Sequence, residues 1–120
     1  MRRSHWRALA RILACAALYA LVIGLASALW RRPAALAASY ALLSALLLWR
    51  WHAPADVLYF VIPGILGSLG EYVAVAHGAW HYSLAWINIP VWLPLAWGAS
   101  GLCMKRIADA ALSLRAAPRE

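Results

Sequence analysis

Long uninterrupted runs of apolar residues, separated by short clusters of charge, proline or glycine, set the pattern of this chain. No run alternates with the two-residue period of a barrel strand, and each approaches the length of about 20 residues that a membrane-spanning helix needs. Four such helices are expected, at about residues 9–30, 34–51, 57–76 and 83–104. Arg31 and Arg32 close the first, and Arg50 with the turn-like His52-Ala53-Pro54 closes the second. The fourth carries Pro90 and Pro94 and ends at Lys105-Arg106. The predicted fold class is all-α: one polytopic membrane domain over residues 1–120.

Composition agrees with this reading. Of 120 residues 66% are hydrophobic and only 12% charged, with a mean hydropathy of +0.71, too apolar for a polar, water-facing surface. The lipid bilayer is therefore the first expected partner. A secretory signal is the competing account of the N-terminus, with Arg2, Arg3 and Arg7 as its basic region and Ala26-Ser27-Ala28 as a cleavage site. The apolar stretch from Ile12 to Ala28 is longer than such a signal uses, so a retained helix is expected.

The net charge of +7 raises nucleic acid as a partner until its distribution is considered. With four spans, Arg2, Arg3, Arg7, Arg11, Arg50, Lys105, Arg106, Arg115 and Arg119 fall on one side, and only Arg31 and Arg32 on the other. That asymmetry predicts cytoplasmic termini in a cell inner (plasma) membrane and accounts for the basicity without nucleic acid. Tryptophans fit the same map. Trp6, Trp49 and Trp51 lie near the inner interface, Trp30, Trp80, Trp86 and Trp92 near the outer one, and Trp97 deeper. Cys15 and Cys103 lack any CxxC or Cys/His spacing and read as packing residues.

Chemistry is concentrated in the second half. Glu71 falls about 21 Å along its helix, roughly 9 Å beneath the outer surface of a hydrocarbon core about 30 Å thick. An ionised carboxylate there costs at least about 2.5–3.5 kcal/mol, so Glu71 is expected to be protonated, paired or in contact with water. It is the candidate catalytic acid. His77, Trp80, His81, Tyr82, Asn88, Trp92 and Trp97 are the candidate ligand-binding residues around it. His77 and His81, four apart, would share a face only if the helix continued through Gly78, and Glu71 projects elsewhere. No metal and no cofactor are expected. Gly64, Gly67 and Gly70 recur every three residues, with Gly98 and Gly101 opposite, a pattern that lets two helices approach closely.

The series Gly70-Glu71, Gly78-x-Trp80-x-Tyr82 and Pro90-x-Trp92-x-Pro94-x-x-Trp97-Gly98 resembles the acid, Gly-aromatic-Tyr and Pro-rich pattern of membrane-embedded carotenoid-biosynthesis proteins. It is also similar to short four-helix bacterial membrane proteins of unassigned activity. The resemblance covers about a quarter of the chain and implies that Glu71 is an important acid beside aromatics. Three functions compete. The first is binding or processing of a lipophilic, isoprenoid-like molecule, with Glu71 giving a proton or hydrogen bond and aromatic faces steadying developing positive charge. The second is proton-coupled transport. Chain length and a lone membrane glutamate are similar to the small multidrug-resistance exporters, although their acid lies in the first helix. The third is a structural subunit that packs against a second copy or a larger membrane complex.

Overall fold

The computed structural model describes residues 2–116. Arg119, counted above among the cations of the basic side, lies outside them. Among the described residues the chain forms four helices, α1 (Arg2–Leu29), α2 (Pro33–Trp51), α3 (Asp56–Ala76) and α4 (Leu93–Arg115), packed into a body 55 × 27 × 25 Å across. α1, α2 and α3 are long and apolar enough to cross a membrane. α4 carries Lys105, Arg106, Asp109 and Arg115 and is not among those three.

Local chemistry sets the helix ends. Pro33 sits in the first turn of α2, where its missing N–H costs nothing. His52 closes α2 in the left-handed conformation (φ 51°), its N–H donating to the Leu48 carbonyl at 3.0 Å. At the end of α3, Gly78 takes φ 78° and donates to Val75, while Ala79 donates to Ala74. This six-to-one and five-to-two pair is a Schellman cap, which needs a glycine at that position and stops the helix cleanly.

The fourth helix departs from expectation. Its apolar run starts at Ser83, but residues 79–92 form turns, bends and one isolated bridge between Ile87 and Ile89, with Asn88 at φ 54°. α4 begins ten residues later, at Leu93, with Pro94 in its first turn, and continues to Arg115 rather than 104. Pro90 and Pro94 explain the shift. A proline disfavours helix in the residue before it and donates no hydrogen bond, so the helix starts only where the second proline occupies its first turn.

α4 is the axis of the bundle and touches the other three helices. Gly98 through Cys103 are six consecutive buried residues, a helix enclosed on every side. One core joins Val22 of α1, Leu36 and Tyr40 of α2 and Ala99 of α4. Tyr40 is fully buried, and its hydroxyl donates to the Val22 carbonyl at 2.5 Å, using a second lone pair that helical bonding leaves free.

α3 and α4 meet over small residues. A Cβ at Gly67 would lie 2.6 Å from Cγ of Trp97, one at Gly98 2.5 Å from the Phe60 ring, and one at Gly64 3.1 Å from the Pro94 carbonyl. Gly101 approaches the Tyr59 carbonyl and Pro63, where a Cβ would come within 2.5 Å of the Pro63 ring. Pro63 has no N–H for the Tyr59 carbonyl, so that oxygen is released from the helix ladder and Gly101 covers it. Gly70 is the exception to the expected packing set, with nothing within 4 Å of a Cβ placed there. The opposite face of α3 exposes Val57, Leu58, Val61, Ile62, Ile65, Leu66, Leu69 and Val73 in a continuous apolar surface suited to lipid.

Candidate functional site

The Schellman cap turns the chain back at the end of α3, and the irregular segment that follows lays Tyr82 over the last turns of that helix. Glu71, two turns earlier, receives two hydrogen bonds from beyond the break. The Tyr82 hydroxyl donates to Oε2, and the Trp97 indole N–H donates to Oε1 at 2.8 Å. Trp97 reaches it because Gly67 leaves room for the indole against α3. The carboxylate is half-buried, and among the described residues no Lys or Arg pairs with it. Each of its oxygens has one neutral donor, an arrangement that offsets part of the cost of half-burying a carboxylate without a counter-charge.

Glu71 also borders a groove of about 300 Å³ that runs between α1 and α4. Its walls include Tyr19, Val22, Ser27, Trp92, Ala96 and Trp97, with Tyr40 reaching in from α2. Trp92 stands between two phenols, its ring centre 6.0 Å from that of Tyr40 and 6.2 Å from that of Tyr82 in an edge-to-face contact. The groove is apolar along its length and acidic at one point, with Glu71 its only carboxylate among the described residues.

Of the seven residues expected around Glu71, three gather there: Tyr82, Trp92 and Trp97. The other four do not. His77 closes α3, its Nδ1 2.8 Å from the Val73 carbonyl, and is exposed. His81 and Trp80 are exposed on the connecting segment, and Asn88 serves its left-handed turn. The cap at Gly78 also removes the condition under which His77 and His81 would share a helix face. Tyr40, which is not among the residues expected around Glu71, is a groove residue. Its signal was a lone phenol in an Ala/Leu helix, since a buried tyrosine hydroxyl needs a partner.

A second polar cluster lies at the other end of the bundle. Asp56, in the first turn of α3, is 1% exposed, and its Oδ2 accepts from Arg106 at 2.5 Å and from the Ala53 N–H at 3.2 Å. Lys105 stands 3.9 Å from Oδ1, close enough to attract but too far to hydrogen-bond. Arg106 also stacks 4.7 Å above Trp51, and Lys105 lies over Tyr59. From sequence, Asp56 falls just outside the third helix expected at about 57–76 and carries no assigned role. The recoverable signal was an acid and a Lys-Arg pair expected at the same interface.

Comparison with protein-family models, curated proteins and solved structures finds no match to this chain.

Proposed function

We propose that this chain is a four-span protein of the cell inner membrane, with both termini cytoplasmic, that binds a lipophilic, isoprenoid-like molecule in the groove beside Glu71. The observation that carries the reading is the groove itself. It is a largely apolar groove of about 300 Å³ between helices, lined by two indoles and one carboxylate. Binding sites for small molecules combine mostly apolar walls with a few placed polar groups that fix orientation. Here Trp92 and Trp97 offer flat faces to an unsaturated chain, and Glu71, which has lone pairs beyond the two already engaged, accepts from a hydroxyl head. The resemblance to carotenoid-biosynthesis proteins points to the same ligand class.

Packing supports a fourth crossing. α4 spans about 35 Å at 23 residues and is enclosed by three apolar helices, so its own surface need not be lipid-like. Its charges cluster at the end where Arg11, Arg50 and Asp56 also lie. Excess Arg and Lys at that end favours the cytoplasmic side.

The test is photocrosslinking of a diazirine-bearing isoprenoid alcohol to the purified protein, with labelled peptides mapped by mass spectrometry. Labels on α1 and α4 beside the groove, lost in Ser27→Phe, are expected. Ser27 is exposed and bonds only its own helix, to the Ile23 carbonyl, so the larger ring fills the groove without disturbing the core. Labelling spread over the lipid face of α3 and unchanged in Ser27→Phe would leave Glu71 as a clasp between helices and nothing more.

A further inference from the structure

At the end of the bundle away from Glu71, a recess of about 500 Å³ opens between α1, α2 and α4. Three arginines from three different helices line it: Arg11, Arg50 and Arg106. The rest of its lining is a mainly apolar floor between the arginines, with Ala14, Cys15 and Leu18 of α1, Ala110 of α4 and Trp51 contributing. We infer that this recess is a binding site for the phosphate headgroup of an anionic glycerophospholipid, with the start of an acyl chain lying along Ala14 and Leu18.

Charge accounting leads there. Arg106 is engaged by the buried Asp56, and Lys105 pairs with Asp109 at 2.8 Å. Arg11 and Arg50 have no ion-pair partner among the described residues, so two positive charges border the recess uncompensated. Nε of Arg106 is buried without an acceptor, held by the Asp56 and Trp51 contacts that orient its guanidinium. Arginine suits this task, because its planar fork meets phosphate oxygens two at a time. Asp109 on the rim is already neutralised by Lys105, so it weakens the attraction without cancelling it.

The combination of charge and floor separates a lipid from a free ion. A phosphate ion needs the arginines alone and has no use for an apolar floor. A phospholipid uses both, and in the four-span arrangement proposed above the recess lies at the basic end of the bundle, beside the headgroup layer. The site is separate from the Glu71 groove, and its occupancy does not depend on what that groove binds.

Delipidated protein in neutral detergent, titrated with phosphatidylglycerol or phosphatidylcholine and read by native mass spectrometry, tests the inference. One phosphatidylglycerol is expected to bind at least about tenfold more tightly than phosphatidylcholine. Arg11→Gln/Arg50→Gln should weaken it by roughly 30-fold, since each cation near an anionic headgroup contributes about a factor of five. Arg31→Gln/Arg32→Gln makes the same change in net charge at the opposite end and should leave binding intact. Ala14→Trp fills the floor without altering charge and should reproduce the loss, which guards against a double variant that misfolds. Equal affinity for the two lipids, or equal loss in both double variants, would overturn the site. Displacement of the lipid by millimolar inorganic phosphate, with Ala14→Trp silent, would show a free anion as the occupant and overturn the lipid assignment.

Discussion

Arg106 of α4 and Asp56 of α3, fifty residues apart, meet at 2.5 Å with the carboxylate almost wholly enclosed. A buried ion pair is a weak source of net stability, because desolvation offsets most of the attraction. Removing one partner, however, strands the other. Asp56→Ala leaves Arg106 and Lys105 facing each other with no carboxylate between them. It is expected to destabilise the protein by about 2–4 kcal/mol, the upper part of the range being cut by the partial access of both cations to water. Asp56→Ala combined with Arg106→Met should recover a large part of that loss. Thermal unfolding in detergent of the four variants of this cycle measures the coupling.

Gly67 and Gly70 differ by three residues and should differ in tolerance. A methyl at Gly67 runs into the Trp97 indole, whereas Gly70 has open space. Gly67→Ala is expected to cost about 1–3 kcal/mol as an overpacked contact, and Gly70→Ala to be neutral or mildly stabilising. Gly67→Leu should be worse than Ala45→Leu, placed on α2 away from this contact. Melting temperatures of the purified variants decide it, and equal tolerance at 67 and 70 would mean that α3 and α4 are not in close contact.

Glu71 accepts from two donors, and an amide cannot do the same, since one of its two heteroatoms donates. Glu71→Gln keeps Trp97 as donor to the amide oxygen, while the Tyr82 hydroxyl must turn to accept from the amide nitrogen, so two charge-assisted bonds become weaker neutral ones. The expected cost is about 1 kcal/mol, similar to that of Tyr82→Phe, with little further loss when the two are combined. Additive losses in the double variant would show that Tyr82 and Glu71 act independently.

Topology is open to direct measurement. Reporter fusions after Glu120 should read cytoplasmic, and fusions within residues 77–82 should read periplasmic. A periplasmic C-terminus would mean that α4 fails to cross.

Three helices were legible because apolar length and flanking charge are local properties. α2 and α3 fall within a residue of expectation, while α1 starts earlier because its basic first turns are helical outside any apolar count. The start of α4 was obscured by Leu84, Trp86, Ile87, Ile89 and Val91, which continue the apolar run while the two prolines forbid the helix. Hydropathy reports the company a segment keeps and not its backbone. Glu71 stood out as a charge in an apolar run, and its partners Tyr82 and Trp97 were within the expected set. Asp56 went unnoticed because a charge at a helix end looks ordinary until its partner is known, and that partner is set by how α3 and α4 pack. Pro63 was equally silent, since the glycine that accommodates it is thirty-eight residues away.

The Glu71 contacts at one end and the Asp56 contacts at the other fasten α3 to α4 top and bottom, with close glycine contacts between. Two rods bolted at both ends and flush in the middle cannot slide or splay, so this pair is a stiff plank. Along the groove α1 rests on α4 and α2 through apolar contacts among Val22, Leu25, Leu36 and Ala99, with the Tyr40 hydroxyl adding a hydrogen bond to Val22, so this wall is softer than the plank. Any widening of the groove for the proposed long hydrocarbon would therefore come first at that softer wall, along α1.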